Sequence, residues 1–247
     1  MKWTDKGIVL STKKHGETSI IVDLLTENHG RHLGFVRGGN SKKLRGTLQT
    51  GNLIQAYWQA RLVEQLGNFK CELSEGFAAK FMRDPLKLSA LSSACALTKS
   101  TLAEHEFQKS VFDGLLALLF SFEHDNWQSA YVKWELGLLG EIGYGLDLTT
   151  CAKTGQNDQL TYVSPKSGRA VSLTAGEPYK KKLLLLPQFL LHPGKSGTAN
   201  EINNGLKLTG YFLYNKVFKQ TGQKLPSSRY RLVERLQKNK LIQQQVK

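Results

Sequence analysis

Over the first 80 residues, apolar and polar positions alternate in short runs separated by turn-forming residues. This is the texture of β-strands and not of helices. Residues 7–10 form a short apolar strand and residues 13–17 a turn. Residues 18–26, rich in Ile, Val and Leu, form a second strand. A turn over 27–30 leads into a third strand over 31–37. Gly38-Gly39-Asn40-Ser41 opens a flexible basic loop that runs to Gly46. Residues 53–63 and 68–75 supply a fourth and a fifth strand.

From about Leu86 the period changes. Leu88, Leu91 and Cys95, then Phe107, Val111, Leu115, Leu118, Leu119 and Phe122, recur at steps of three and four, as on one face of a helix. A third helix over 127–142 carries Trp134, Leu138 and Leu139, and Gly143-Tyr144-Gly145 stops it. Residues 151–175 are dense in turn pairs, among them Thr154-Gly155, Ser164-Pro165 and Ser167-Gly168, and predict a loop or small hairpin. Helices resume over 206–219 and, after Pro226-Ser227-Ser228, over 229–240. The expected fold is α+β: a five-stranded OB-fold barrel over residues 1–80, then an all-helical domain over 81–247 with a small turn-rich element inserted at about 151–176. Five strands with an excursion between the third and fourth suit that barrel, which often binds oligonucleotides.

Charge sharpens this picture. The chain of 247 residues has a formal net charge of +14, an excess that calls for an anionic partner, nucleic acid first and an acidic membrane surface second. The charge is segregated: +5 over residues 1–50, −3 over 51–178 and +12 over 179–247. Between Asn28 and Val63 there is no Asp or Glu, while Arg31, Arg37, Lys42, Lys43, Arg45 and Arg61 interleave with Phe35, Tyr57 and Trp58. Cations of this kind neutralise phosphates and release counterions, and aromatics can stack on unpaired bases. The three aromatics lie in strand-like runs, so core packing is an equal reading for them. Lys13 and Lys14 in the N-terminal segment, and Lys207, Lys216, Arg229 and Arg231 near the C-terminus, complete the set of candidate nucleic-acid contacts.

The remaining chemistry is mostly excluded. The longest apolar runs fall far short of the roughly 20 residues of a spanning helix, and the N-terminus lacks the pattern of a signal peptide. Cys71, Cys95 and Cys151 are odd in number and widely spaced, as expected of reduced thiols in the cytoplasm. There is no Walker loop, nucleophile elbow or HExxH, and the six histidines are scattered; the chain is not expected to be an enzyme. Cys151 reads as a structural thiol and Asp147 as a local cap. A zinc ribbon would need about four Cys or His ligands in CxxC pairs, but the third residue after Cys151 is Thr154, so no metal or other cofactor is expected.

Three motifs resemble one family. Residues 134–151, with a helix, a Gly-Tyr turn and a leading Cys, are similar to the RecO family of bacterial recombination mediators. So are Phe35-Val36-Arg37-Gly38-Gly39 before the basic loop and Leu225-Pro226-Ser227-Ser228-Arg229, in order and at suitable spacing over essentially the whole chain. The resemblance implies binding of single- and double-stranded DNA and annealing of complementary strands. It also implies partnership with RecR and with the acidic C-terminal tail of single-stranded-DNA-binding protein, and indirectly with RecA, which is loaded on gaps, in the bacterial nucleoid. By the same resemblance, Lys133 and Trp134 mark where that tail docks. Many members hold zinc on four cysteines in the inserted element; this chain keeps only Cys151, so zinc is not carried over. Charge and barrel alone would equally allow an RNA-binding or ribosome-associated protein.

Overall fold

A computed structural model of the chain describes residues 1–62 and 65–245, with side chains to residue 239. Strands β1 (Lys2–His15), β2 (Ser19–Thr26) and β3 (Gly30–Val36), helix α1 (Lys42–Thr47), and strands β4 (Leu53–Gln59) and β5 (Asn68–Glu75) form a closed barrel in the order β1-β2-β3-β5-β4. Its pairings are antiparallel except for β3 with β5, which meet in parallel through Phe35 and Asn68. This is the OB-fold of an α+β protein. Inward positions alternate along each strand and fill the barrel with Val9, Val22, Leu24, Val36, Ile54, Trp58 and Phe69. Each such side chain contributes about 1.5–3 kcal/mol by leaving water.

The barrel departs from the sequence-based reading in three places. β1 extends in both directions beyond residues 7–10, and the expected turn over 13–17 is strand as far as His15. Lys13, Lys14 and His15 pair with Ile21, Ile20 and Ser19; a ladder bonds backbone groups, so polar side chains facing solvent do not end it. The expected flexible loop over 38–46 contains α1, whose N-cap Ser41 hydroxyl accepts from the Leu44 amide at 3.4 Å. β4 ends at Gln59 and not at Val63, a residue that lies outside those described.

Packing divides the chain into two compact units. The first, Met1–Leu119 with Pro226–Leu232, joins the barrel to α2 (Phe77–Lys80), α3 (Pro85–Thr101) and the greater part of α4 (Lys109–Ser121). α3 begins at Asp84, whose carboxylate accepts from the Leu86 and Lys87 amides, with Pro85 at the first helical position. The second unit, Phe120–Leu225 with Val233–Lys247, is built on α5 (Trp127–Glu141). Gly143 takes a φ of +84° just past the end of α5, the left-handed conformation that makes Gly-Tyr-Gly a stop. The turn-rich element is a three-stranded sheet in the order β7-β6-β8, made of β6 (Leu160–Val163), β7 (Ala170–Ser172) and β8 (Leu184–Leu185). Between β7 and β8 lie α6 (Leu173–Gly176) and a 3-10 turn, Glu177–Lys182. α7 (Ala199–Phe212) starts at a Thr198–Glu201 capping box, earlier than residue 206, and passes into a π-helical turn, Leu213–Phe218. α8 (Ser227–Gln245) starts at the expected Pro-Ser-Ser and outruns residue 240.

One ion pair lies deep in the first unit. Asp23 on β2 is 2% exposed, and both its carboxylate oxygens accept from Arg31, at 3.0 Å from Nε and 2.9 Å from Nη2. Arg31 Nη1 also donates to the Leu102 carbonyl at 3.0 Å. Lys99 Nζ approaches Asp23 to 3.4 Å and donates to Ser11 Oγ at 2.7 Å. The segment after α3 lies directly on the start of β3: the His105 amide donates to the Arg31 carbonyl at 2.8 Å, and a Cβ on Gly30, whose φ is +69°, would stand 2.1 Å from the Glu106 carbonyl oxygen. Asp23→Ala leaves the guanidinium largely buried without its carboxylate and is expected to lower the unfolding free energy by about 3–5 kcal/mol in urea titration. In a double-mutant cycle, adding Arg31→Ala should cost much less than it does alone, because the two side chains act as one unit.

Candidate nucleic-acid interface

The first unit has an open cleft of about 1100 Å³ on the barrel, bounded by the N-terminal end of β1, the end of β3, α1, β4, the residues after β4, and β5. Register explains its make-up. Trp3, Trp58 and Phe69 occupy one row across β1, β4 and β5, and Thr4, Tyr57 and Lys70 the neighbouring row on the other face. The first row packs toward the core, where Trp58 is 2% and Phe69 3% exposed. The second turns outward, leaving Tyr57 38% exposed. Trp3, half-buried, belongs to both settings: it stacks on Trp58 at 5.5 Å and also lines the cleft. Among the described residues, four cations, Lys2, Arg37, Arg61 and Lys70, line the cleft with one carboxylate, Glu72, whose Oε2 accepts from the Tyr57 hydroxyl at 3.4 Å.

The sequence signal therefore resolves residue by residue. Arg37 and Arg61 are exposed in the cleft wall. Lys42, Lys43 and Arg45 are exposed on α1, which adds Leu44 to the same wall. Arg45 Nη2 donates to the Asn40 carbonyl at 3.1 Å, and the Asn40 amide donates to Thr18 O at 3.0 Å. This ties α1 to the β1–β2 turn, beside which Lys13 and Lys14 project, exposed, from the end of β1. Lys2 and Lys70 were not anticipated. Lys2 is one of four lysines along β1 and Lys70 the single cation of β5, and only the register carries them to the cleft.

Arg31 and Arg229 are corrections. Arg31 is consumed by Asp23, and Arg229 is 4% exposed; an arginine inside the protein cannot meet a phosphate without first losing its internal partners. Tyr57 offers an open ring, Phe35 is half-buried against His15 at 4.9 Å, and Trp58 is core. In the second unit Lys207 is exposed and Lys216 half-buried, and Arg231, on the part of α8 that packs with the first unit, is exposed. Lys133 is half-buried: its Nζ donates to the Lys195 carbonyl at 3.0 Å and sits 5.8 Å from the Phe189 ring centroid. Trp134 is 8% exposed, part of the core and not a surface for a peptide, because adjacent residues of a helix point in different directions.

Behind the Trp3 wall stands a histidine cluster that the scattered sequence positions did not reveal. His29 stacks flat on Trp3 at 4.2 Å and its Nδ1 meets Asp5 Oδ2 at 2.8 Å. His32, 5% exposed, lies edge-on to Trp3 and Trp58, and its Nε2 is 3.0 Å from His105 Nδ1. Burial first, then His105 and His29, with Asp5 opposing, holds the His32 imidazolium down to about 4. His105 reaches the pair from a left-handed backbone with a φ of 65°.

Cys151 is fully buried at the start of the turn-rich element. Burial pushes the thiol up, but hydrogen bonds with Ser172 and Thr154 outweigh it and bring it down to about 6; the Ser172 amide lies 3.3 Å from Sγ. The donor set around Sγ is hydroxyls and amides, so these residues do not fit zinc. Among the described residues no three His, Cys, Asp or Glu side chains gather as a metal site. Asp147 acts as a local cap, accepting from Thr149 and pairing with Arg169.

Comparison with known proteins agrees with the barrel-plus-helices architecture. Residues 1–77 match the family model for the recombination protein O N terminal, and residues 82–239 that for the recombination protein O C terminal. The DNA repair protein RecO of Rhodospirillum centenum is 51% identical over 96% of both chains. That of Rhodospirillum rubrum is 46% identical over 96% of this chain and 97% of its own. That of Methylobacterium nodulans is 43% identical over 93% and 95%. Fold and matches together define a protein of DNA repair and recombination. The chain belongs to the RecO family. Among the described residues no helix is long and apolar enough to cross a membrane.

The His32 shift has a pH signature. Its folded value, about 4, lies below the ordinary 6.5, so the unfolded chain binds the proton more readily. Stability is retained above pH 6.5 and is lost as pH falls from 6.5 toward 4. Thermal unfolding followed across that window should show the loss, and His32→Gln should flatten the slope.

Proposed function

We propose that this chain is a non-enzymatic recombination mediator that binds single- and double-stranded DNA and anneals complementary single strands without ATP. With RecR, it helps load RecA onto DNA covered by single-stranded-DNA-binding protein during gap and break repair in the bacterial cytoplasm. The observation that carries this reading is the barrel cleft, where four cations and exposed Tyr57 share one open surface. Phosphates would meet Lys2, Arg37, Arg61 and Lys70, with Lys42, Lys43 and Arg45 on α1 and Lys13 and Lys14 beyond it. Unpaired bases would stack on Tyr57, whose ring is open to the cleft. A single strand suits this surface because its bases are open to stacking and its backbone is flexible enough to follow a curved wall.

The functional division we propose lies at about residue 80, between a DNA-holding barrel and a helical region serving partners. Lys207, Lys216 and Arg231 extend the positive field there. The acidic tail of single-stranded-DNA-binding protein would take Lys133 as its cation, with Trp134 supporting α5 from the core.

Arg37→Glu with Lys70→Glu should weaken binding of an oligo-dT strand at least tenfold at moderate salt and lower the salt slope by about 0.7 for each phosphate no longer neutralised. Fluorescence anisotropy across a salt series measures both. The same titration with matched RNA separates a DNA mediator from an RNA-binding protein; tighter binding of RNA overturns the proposal.

A further inference from the structure

The turn-rich element carries a positive surface of its own. Residues 151–182 hold six Lys or Arg and two Asp or Glu, for a net +4. The charge gathers at the 3-10 turn Glu177–Lys182, which carries Tyr179, Lys180, Lys181 and Lys182 in succession. Residues three apart eclipse in a 3-10 helix. Glu177 and Lys180 therefore share one face, and they form an ion pair there. Glu177 also accepts from the Tyr162 hydroxyl at 3.4 Å, so the only acid of the turn is occupied. The same rule puts Tyr179 and Lys182 together on the next face. Tyr179 is 56% exposed, Lys181 and Lys182 are exposed, and neither of these two lysines forms an ion pair among the described residues.

The turn is anchored and not free to collapse. Ala175 and Gly176 before it are buried, and Leu186 just after it is 4% exposed. An open aromatic ring eclipsed with a lysine, and a second lysine one residue away, matches the repeat of a single strand, in which each base is followed by a phosphate. An acidic peptide would satisfy the lysines but would not need the ring.

We propose that this turn is a single-stranded nucleic-acid contact in its own right, with Tyr179 stacking on a base and Lys181 and Lys182 holding the adjoining phosphates. This rests on the DNA-binding reading above. The inserted element, which lacks the residues for a metal, contributes to the same ligand through charge and stacking.

The test uses the full chain and an oligo-dT strand carrying 5-iododeoxyuridine. Ultraviolet crosslinking followed by peptide mass spectrometry should place an adduct on Tyr179. Lys181→Glu with Lys182→Glu should weaken the strand about fivefold or more and lower the salt slope by about 1.4, with thermal unfolding unchanged. Adducts confined to barrel residues, together with a wild-type affinity and slope in the double variant, overturn this inference and leave the barrel interface standing. Loss of binding to an acidic peptide with DNA binding intact assigns the turn to protein and also overturns it. A wild-type chain that binds no strand at all sinks both readings.

Discussion

An ionised carboxylate as buried as Asp23 is tolerated only because its charge is met at once, by Arg31 on the adjacent strand through two parallel hydrogen bonds. A bidentate pair fixes direction as well as distance, and here the direction organises the rest of the first unit. With its ring of donors committed to Asp23, Arg31 has one nitrogen left, and that nitrogen caps the carbonyl of Leu102 at the end of α3. The Arg31 backbone receives the amide of His105. Lys99 closes the arrangement from α3 by reaching Asp23 and Ser11 together. The helices after the barrel are thus joined to β2 and β3 by polar contacts with one geometry, which apolar packing alone would leave free to slide. Gly30 completes the fit, because no side chain could occupy its place against Glu106.

The same pair shows where the sequence was legible and where it was not. Period and turn residues were enough for five strands, for helix from about Leu86, for the apolar face from Val111 to Phe122, for a helix over 127–142 and for the Gly-Tyr-Gly stop, since each of these is a local property of the chain; Phe107, read onto the same face, lies before α4 and is exposed. α1 was hidden because it is only six residues long and basic; composition reads such a stretch as loop, and its helix depends on the Ser41 cap. The extension of β1 was hidden because its outer residues are polar. The role of Arg31 was hidden for a different reason. A cation in an acid-free stretch reads as a surface cation, and its carboxylate sits eight residues earlier, outside that stretch, brought to a diagonal position only by the β2–β3 ladder, where Arg31 faces Leu25 and Asp23 faces Leu33.

The candidate site follows the same logic in reverse. Arg37 and Arg61 could be read as cations from the sequence, but the cleft also has Lys2 and Lys70, which sit in β1 and β5 on either side of β4 and are brought to one cleft by the pairing of these strands. The alternation along β4 decides between the two readings of its aromatics. Tyr57 and Trp58 are adjacent in sequence and opposite in fate, one ring open to the cleft and the other beneath it. Trp3 links them to the histidines, stacked on Trp58 on one side and on His29 on the other. The cleft wall and the histidine cluster therefore share a side chain.

Net charge, finally, is a poor measure of field until burial is subtracted. Arg31 lies inside the first unit, neutralised by Asp23, so it adds little to the potential outside, and Arg229 is buried away from any phosphate. Among the exposed cations that remain are those of the barrel cleft with α1 and the lysines of the 3-10 turn. Because exposed charges are screened within about 10 Å at moderate salt, cations spread evenly over a surface would each act nearly alone. Cations that stand within a screening length of one another act together and can meet several phosphates of a polyanion at once. Each further phosphate neutralised releases a counterion, which makes the grip strong at low salt and quickly reversible as salt rises. On the reading proposed above, in which the chain takes up a strand and lets it go, a surface of solvent-facing cations serves better than a deep pocket with paired charges, and the buried Arg31 keeps to the separate task of joining β3 to β2 and to the end of α3.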